Sequence, residues 1–332
     1  MNILMYLPAA TVDRCFHPRD LNRLQIKHRV ILPTTETDLP ASWAQHAGTC
    51  DAIVTGWGTP EISNEMLDAA PNLRFVCHSA GSFRRMLPPS FWFRDIRLAT
   101  ANEALAIAVA ESTLALIISG MKSFIFCRAL TRKGGWDYSR HAGHFPIREL
   151  YGSKIGIIGA GKVGRELIRL LHNFEVEILV SDPHLSLTDT DRLRVRKVPL
   201  EELLRTCDVV SLHAPALPET RHLLGAPELK LLRDGTIFIN TARGVLVDTR
   251  ALVAELQTGR IFAFIDVTDP EPPPADHPFR TLPNVILLPH ITGPITNGCF
   301  RQGRLCVEQL IAFGNNTSVR GEVFREQAKI MA

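Results

Sequence analysis

Apolar residues recur along this chain with two alternating periods. Short runs of aliphatic and β-branched residues predict buried strands, and apolar residues at three- and four-residue spacing between them predict helices. In the first third, the predicted strands are Asn2–Leu7, Ala52–Thr55 and Leu73–Val76, and the predicted helices are Arg19–His28, Trp43–Ala47 and Ser63–Ala70. Such alternation predicts a mostly parallel sheet with helices on both faces.

A second series of the same kind begins near Tyr151. Its predicted strands are Lys154–Ile158, Ile178–Val180, Val209–Leu212, Ile237–Ile239, Ala263–Ile265 and Val285–Leu288, and its predicted helices are Lys162–Leu171, Leu200–Arg205, Glu228–Leu232 and Thr249–Gln257. We therefore expect an α/β protein with two doubly wound parallel-sheet domains.

Two long segments, Glu103–Lys122 and Asn297–Phe313, are predicted to be helices that join the two sheets. This arrangement predicts a first domain of residues 1–102 and 295–332, with residues 103–294 inserted into it as the second domain. Glu103–Lys122 is apolar nearly all round, which predicts a helix buried on all sides, and Glu111 interrupts it, so no membrane span is expected. We also expect a homodimer with this helix at or near the interface.

Composition narrows the class of protein. Of the 332 residues, 45% are hydrophobic and 21% charged, which is typical of a globular protein and excludes a disordered one. The net charge of +3 is scattered, so nucleic acid is not an expected partner. The seven cysteines contain no C-x-x-C pair, so no metal site is predicted, and free thiols at this density favour a reducing compartment such as the cytoplasm.

The segment Gly159–Gly164 (GAGKVG) follows a predicted strand and opens a predicted helix. Gly159 allows a tight turn, Gly161 lets a pyrophosphate approach the backbone, and Gly164 lets helix and strand pack closely. The helix N-terminus offers free N–H groups and a positive dipole end to phosphates.

Asp182 lies 18 residues after Gly164, at the end of the next predicted strand. A carboxylate in that place accepts hydrogen bonds from the ribose hydroxyls of an NAD adenosine. The segment and Asp182 together predict NAD binding, and the alternative is a glycine-rich turn in some other α/β protein.

Three side chains with complementary chemistry follow strands of the second sheet: Arg243, Glu271 and His290. Each alone has an ordinary explanation, since a loop Arg or Glu is commonly solvated and a single His is commonly structural. All three are expected at one sheet edge, where open α/β sheets bind ligands. A guanidinium, a carboxylate and an imidazole beside a nicotinamide would suffice for hydride transfer to a carbonyl.

Several longer segments carry a resemblance that covers almost the whole chain. They are GWGTPEISNEMLDAAPNLRFV, AVAESTLALI, IGIIGAGKVGRELI with SDP, VVSLHAPALPETRHLL, GTIFINTARGVLVD, IDVTDPEPPPADHP and NVILLPHITG. In these segments the chain resembles the D-isomer-specific 2-hydroxyacid dehydrogenase family. The resemblance implies a Rossmann NAD domain inserted into a flavodoxin-like substrate domain, and interconversion of a 2-oxo acid and an (R)-2-hydroxy acid.

The resemblance also assigns roles to residues. It implies that Arg243 binds the substrate, that His290 transfers the proton, and that Glu271 orients His290 and favours its imidazolium form. The implied cofactor contacts are Gly159, Gly161, Lys162, Val163, Asp182, His213, Ala214, Pro215, Thr241, Ala242, Asp266 at the nicotinamide amide, Gly293 and Thr113. Formate dehydrogenases of this superfamily carry Gln where Glu271 stands, which argues against formate as the substrate.

Two segments depart from the family pattern and leave the substrate open. The loop that holds the substrate carboxylate reads Ala80-Gly81-Ser82, without the usual Asp, and Arg84 and Arg85 follow it. One of these arginines is expected either to reach an anionic substrate tail or to lie in solvent. After His290 the family commonly has Ile-Gly, whereas this chain has Ile291-Thr292-Gly293-Pro294, which alters the lining of the expected active site.

Two other functions share these residues. One is a nucleotide-sensing interaction protein, because co-repressors resembling C-terminal binding protein have this fold and the same three side chains. The other is a phosphite-type oxidoreductase, which keeps the Arg, Glu and His with a different hydride donor.

Overall fold

The computed structural model describes residues 1–34, 38–137 and 147–331. The chain divides into two compact units, Met1–Ala106 with Pro294–Ala332 (the first unit) and Ile107–Gly293 (the second unit). Each unit has its own sheet, with helices between successive parallel strands, so the predicted α/β class is confirmed.

The strands are named in chain order. They are β1 (Asn2–Met5), β2 (Arg29–Ile31), β3 (Ala52–Thr55), β4 (Phe75–His78), β5 (Arg97–Thr100), β6 (Lys154–Ile158), β7 (Glu177–Ser181), β8 (Arg196–Lys197), β9 (Val209–Leu212), β10 (Ile237–Asn240), β11 (Phe262–Ile265), β12 (Val285–Leu287) and β13 (Glu322–Val323).

The α-helices are named in the same way. They are α1 (Ala9–Cys15), α2 (Pro18–Gln25), α3 (Leu39–His46), α4 (Asn64–Asp68), α5 (Asn102–Met121), α6 (Phe124–Arg132), α7 (Lys162–Leu171), α8 (Leu187–Leu193), α9 (Leu200–Thr206), α10 (Ala226–Lys230), α11 (Thr249–Gln257), α12 (Asn297–Gly314) and α13 (Arg325–Ala328).

The sheet of the first unit has the strand order β2-β1-β3-β4-β5-β13. All neighbouring pairs are parallel except β13 with β5. Without β13 this is the flavodoxin-like order, in which the direction of winding changes between β1 and β3. Ile3, Leu4 and Met5 are at most 1% exposed, because helices cover both faces of a parallel sheet. Helix α12 packs beneath β4, where Phe313 stacks on Phe75 with 4.5 Å between ring centroids.

The sheet of the second unit has the order β8-β7-β6-β9-β10-β11-β12, and every pair is parallel. The winding reverses between β6 and β9, which is the topological switch point of a Rossmann fold. Ligands of open α/β sheets bind outside the carboxyl ends of the strands at such a point. A ligand site is therefore expected at the edge formed by the carboxyl ends of β6, β9, β10, β11 and β12.

Helix α5 is partly buried within the single chain. Among the described residues it is the one helix whose length and composition alone would let it cross a bilayer, and 44% of its most apolar window is buried inside the protein. Ala106, Ala110 and Ile117 share a buried face, whereas Glu111 and Ala115 are exposed. Burial of the remaining sides depends on the expected homodimer partner and stays a prediction.

Predicted and observed element bounds agree best in the second unit, where β6, α7, β9 and α11 have the predicted bounds. The clearest correction lies in the first unit, where the strand predicted at Leu73–Val76 runs from Phe75 to His78. It begins late because the Leu73 N–H donates to the Ala70 carbonyl, 3.1 Å away, and closes a turn. Strands β2, β5, β8 and β13 were not predicted, because each contains at most two apolar residues and so gives no apolar run.

Candidate active site

The turn between β6 and α7 has the shape that its glycines predict. Gly159 has φ +94°, and a Cβ there would lie 2.7 Å from the Ala214 backbone nitrogen. A Cβ on Gly164 would lie 2.2 Å from the Gly159 carbonyl oxygen, so strand and helix are in close contact. A Cβ on Gly161 would meet no atom within 4 Å. The backbone at Gly161 therefore borders open space at the start of α7, as a phosphate cradle requires.

Asp182 follows β7 and is tied to this turn. Its Oδ2 accepts a hydrogen bond from the Ala160 N–H at 2.6 Å, and its Oδ1 accepts one from the His184 N–H at 2.7 Å. Arg165 on α7 donates to the Ala160 carbonyl and forms a two-pronged ion pair with Asp189. The structure thus gives Asp182 a role that the sequence did not predict, since its carboxylate holds the glycine turn in place.

Arg243 follows β10 and is held by a side chain that the sequence analysis did not identify. The Asn240 Nδ2 donates to the Arg243 carbonyl, and the Asn240 Oδ1 accepts from the Ala242 N–H, each at 3.1 Å. The next residue must be Gly244, because a Cβ there would lie 2.0 Å from the Thr268 carbonyl carbon. The sequence feature that could have identified Asn240 is its position as a polar residue at the end of an otherwise apolar strand.

Glu271 and His290 meet although 19 residues separate them. Oε1 of Glu271 lies 2.6 Å from Nδ1 of His290, and Oε2 of Glu271 accepts from the Thr268 N–H at 3.3 Å. His290 has φ +54°, and its N–H donates to the Asp266 carbonyl at 3.0 Å. Since a carboxylate only accepts, Nδ1 carries a proton, and Nε2 is the ring nitrogen left for other chemistry.

The guanidinium of Arg243 interacts electrostatically with the carboxylate of Glu271. Burial of the half-buried guanidinium lowers the pKa of Arg243, and the carboxylate of Glu271 acts in the opposite direction. An Arg remains protonated under these conditions, so the cluster combines a fixed cation with an imidazole–carboxylate pair. A cavity of about 390 Å³ adjoins the pair and is also lined by Asp266 and Arg280.

Asp266 has both carboxylate oxygens in use. It is 2% exposed and accepts from the Ile291 N–H at 2.8 Å, the Thr292 N–H at 3.1 Å and the Thr292 hydroxyl at 2.5 Å. Thr292 is one of the departures from the family pattern, and its hydroxyl supplies the third of these donors. A buried carboxylate is stable only with such donors, so Asp266 and Thr292 together hold the loop that carries His290.

The remaining predicted cofactor residues border β9, β10 and α5. The Thr113 and Thr241 hydroxyl oxygens lie 3.3 Å apart. The half-buried His213 has its Nε2 at 2.8 Å from the Ser211 hydroxyl, and desolvation lowers the pKa of His213 to about 4, so its ring is neutral at pH 7. The Pro215 carbonyl accepts from the Thr220 hydroxyl at 2.6 Å. A Cβ on Gly293 would meet no atom within 4 Å.

The predicted carboxylate loop of the first unit follows β4. Both the N–H and the hydroxyl of Ser79 donate to the Thr55 carbonyl, at 2.7 and 2.9 Å. Ala80 is buried and Ser82 is exposed. The loop therefore leaves the carboxyl end of the sheet with a fixed base and an open tip.

Arg84 has structural partners rather than a free guanidinium. It donates to the carbonyl oxygens of Met331, Ala328 and Lys329 at 2.6, 2.7 and 2.6 Å, and so caps the last helix, α13. These contacts account for Arg84 without a substrate, which corrects the expectation that its guanidinium is either free for a substrate tail or solvated. Arg85 is exposed.

Comparison with known proteins gives consistent results. The family model described as D-isomer specific 2-hydroxyacid dehydrogenase, NAD binding domain, matches residues 114–292. Glyoxylate reductase from Korarchaeum cryptofilum is 33% identical over 275 residues, which are 82% of this chain and 81% of the relative. Glyoxylate reductase from Thermococcus gammatolerans is 32% identical and is matched over 97% of this chain and 98% of its own length. The crystal structure of a phosphoglycerate oxidoreductase from Rhizobium etli has a TM-score of 0.82 at 26% identity, and 98% of each chain is covered.

Proposed function

Since this chain belongs to the D-isomer specific 2-hydroxyacid dehydrogenase family and is an NAD-dependent oxidoreductase of 2-hydroxy and 2-oxo acids, we propose that Arg243, Glu271 and His290 carry its chemistry. The observation that supports this proposal most directly is the 2.6 Å contact between Glu271 Oε1 and His290 Nδ1. That contact lies at the sheet edge where the loop bearing Arg243 also ends. The reaction interconverts a 2-oxo acid and an (R)-2-hydroxy acid.

The cofactor site is assigned to the turn at the start of α7 and to its neighbours. The open space at Gly161 and the free end of α7 suit a pyrophosphate, with Lys162 and Val163 following in the helix. Asp182 would accept from the ribose hydroxyls. Further contacts are assigned to Thr113, His213, Ala214, Pro215, Thr241, Ala242, Asp266 and Gly293. When bound, NAD(H) supplies or accepts the hydride.

The proton is handled by His290. Glu271 accepts from Nδ1 and fixes the orientation of the ring, so that Nε2 faces the substrate oxygen to which it donates a proton during reduction. In the oxidation direction the neutral Nε2 takes that proton back. Arg243 binds the carboxylate and the carbonyl oxygen of the 2-oxo acid and stabilises the charge that develops on that oxygen.

We assign the backbone N–H groups of the loop Ala80-Gly81-Ser82 to the substrate carboxylate. Residues 1–102 and 295–332 then form the substrate domain, and residues 103–294 form the NAD domain.

The half-exposed apolar side chains of α5, among them Leu105, Leu114 and Ile118, suit a homodimer interface. All seven cysteines are free, which suits a reducing cytoplasm.

The test is steady-state oxidation of NADH with a panel of 2-oxo acids that includes glyoxylate, hydroxypyruvate and pyruvate. We expect turnover of at least one of them and an (R)-2-hydroxy acid as the product on chiral chromatography. In parallel reactions, NAD⁺ with phosphite or with formate should give no NADH. Binding of NADH without turnover of any 2-oxo acid would contradict the proposal and favour the sensing role, and NADH formation from phosphite would favour the other alternative.

A further inference from the structure

The loop Ala80-Gly81-Ser82, which follows β4 in the first unit, has backbone N–H groups that are not used by the fold. None of the three N–H groups donates a hydrogen bond to another of the described residues. Ala80 is 3% exposed, so little solvent reaches it. Native proteins pair nearly all buried N–H groups, because an unpaired one is costly. The loop is therefore able to donate to a ligand, provided that its N–H groups are held in the right direction.

Both peptide groups of Ser79, at the base of this loop, are held by hydrogen bonds. The N–H and the hydroxyl of Ser79 donate to the Thr55 carbonyl at 2.7 and 2.9 Å. On its other side, the Ser79 carbonyl accepts from Nε2 of Gln302 on α12, at 2.8 Å. That carbonyl belongs to the planar, trans peptide group that carries the Ala80 N–H, so the two bonds point in opposite directions. Gln302 thus sets the direction of the first N–H of the loop.

Two glutamines are buried on α12, and their amides are used differently. Gln302 is fully buried, and its Oε1 has no partner among the described residues. Gln309 is 1% exposed and uses both ends of its amide. Its Nε2 donates to the Thr100 and Arg320 carbonyls at 2.9 and 2.7 Å, and its Oε1 accepts from the Cys77 thiol at 3.1 Å. Since an unpaired buried oxygen offsets the gain from one hydrogen bond, stability alone does not account for Gln302.

We propose that Gln302 is a positioning residue for substrate binding, whose Nε2 holds the Ser79 carbonyl so that the Ala80 N–H is directed at the substrate carboxylate. Ser79 is fully buried, and Gln302 is the one donor to its carbonyl among the described residues. Without that donor the peptide plane is free to turn, and the Ala80 N–H turns with it. A donor that is fixed before binding costs less to order around an anion. The inference rests on the proposed function, in which this loop binds the carboxylate of a 2-oxo acid.

The experiment compares Gln302→Met with Gln309→Met. Met is as long and as flexible as Gln but has no amide, so each variant removes the hydrogen bonds and keeps the volume. We expect Gln302→Met to raise the KM for the preferred 2-oxo acid about 10-fold, since part of a hydrogen bond to a charged group is lost. Its kcat should stay within about 3-fold of the parent, because binding and not proton transfer is affected. The KM for the 2-oxo acid should not change in Gln309→Met, and the KM for NADH should not change in either variant.

Urea unfolding of the same two variants separates positioning from a purely structural role. Gln309→Met loses three hydrogen bonds, whereas Gln302→Met loses one and also removes an unpaired oxygen. We therefore expect Gln309→Met to lower the unfolding midpoint more than Gln302→Met, although its KM is that of the parent. An unchanged KM in Gln302→Met, or an equal rise of the KM in both variants, would overturn the proposal.

Gln302→Asn provides a second measurement that keeps an amide at this position. Its side chain is one methylene group shorter, so its nitrogen does not reach the Ser79 carbonyl, and we expect the KM for the 2-oxo acid to rise about 10-fold here as well. A parental KM in Gln302→Asn would contradict the proposal. A parent protein that turns over no 2-oxo acid would contradict the proposed function instead, and the two failures are therefore distinct.

Discussion

The two units carry different chemistry at the carboxyl ends of similar sheets. In the second unit, three charged or titratable side chains from neighbouring loops cluster there: Arg243, Glu271 and His290. In the first unit, the corresponding edge carries neutral groups, with His78 bonded to Thr55 and Gln302 bonded to the loop backbone. The comparison shows that the second unit presents titratable side chains at this edge, whereas the first unit presents neutral hydrogen-bonding groups.

The two histidines whose pKa values are lowered to about 4 make the same distinction. Burial lowers the pKa of His78 in the first unit and of His213 in the second to about 4, so both rings act as neutral hydrogen-bonding groups. His290 is instead about half exposed and bonded to a carboxylate, which suits a ring that must gain and lose a proton. Exposure and partner, rather than residue type, separate the structural histidines from the catalytic candidate.

Removing the proton-transfer group of the second unit should have the largest effect. We expect His290→Ala to lower kcat by about 10²–10⁴-fold, the usual contribution of a positioned acid–base group. The Kd for NADH, measured by fluorescence titration, should remain near that of the parent. The control is His172→Ala, at the exposed carboxyl end of α7. If His290→Ala kept near-parental turnover, the division of chemistry between the units would be wrong.

The pH dependence of stability distinguishes the neutral histidine of the first unit. The folded-state pKa of His78 is lowered to about 4 from an unfolded value near 6.5, so the unfolded chain binds the proton more readily. His78 therefore stabilises the fold fully above pH 6.5, and this contribution, about 3 kcal/mol, is lost as the pH falls from 6.5 to 4.

Urea unfolding between pH 4.5 and 7 checks this prediction through tryptophan fluorescence, since Trp43, Trp57 and Trp92 all lie in the first unit. The free energy of unfolding of His78→Gln should fall less steeply than that of the parent over this range. If the free energies of unfolding of the parent and of His78→Gln fell equally with pH, His78 would not titrate as its burial requires.

Cofactor choice tests the assignment of Asp182. A 2′-phosphate near this carboxylate brings like charges together, and the two positions that follow are Pro183 and His184 rather than Arg. We expect kcat/KM to be about 100-fold higher with NADH than with NADPH. Asp182→Asn should reduce that ratio while keeping a side chain of the same shape at the glycine turn. Equal efficiency of the parent with both cofactors would rule out this role.

Thr292 should contribute to the stability of the second unit. Thr292→Val removes the hydroxyl that donates to the buried Asp266 carboxylate, and we expect the free energy of unfolding to fall by about 2 kcal/mol. Thr292→Ser keeps the hydroxyl, so the free energy of unfolding should fall clearly less than in Thr292→Val. Equal loss in the two variants in urea unfolding would mean that packing of the methyl group, and not the hydrogen bond, is responsible.

The smallest effect is expected at the two arginines after the first-unit loop. Arg84→Ala removes three hydrogen bonds to the end of α13 and should lower stability by about 1 kcal/mol, whereas Arg85→Ala should leave it unchanged. Neither variant should alter the ranking of pyruvate against 2-oxoglutarate or oxaloacetate. If Arg84→Ala changed the ranking of these substrates, Arg84 would have to contact the substrate.

Much of the second unit follows from local pattern. The strand β6, the glycine turn and helix α7 are contiguous, and both their period and their glycines are visible within 20 residues. The loops that bear Arg243, Glu271 and His290 could be assigned to one edge, because parallel strands end on the same side of a sheet. The first unit was predicted less well, since strands such as β5 and β13 contain only one or two apolar residues and cannot be recognised without their partners.

The sequence by itself therefore determined the α/β class and the glycine turn, and it predicted that Arg243, Glu271 and His290 lie at one sheet edge, because each of these depends on neighbouring residues or on strand direction. Only the tertiary structure decided that Asp182 holds the glycine turn, that Thr292 and Asp266 fix the loop of His290, and that Arg84 caps the last helix. It also left His78 with one unpaired nitrogen beside the first-unit loop. These contacts join residues far apart in the chain, and their energies depend on distance, burial and donor direction, which no local pattern encodes.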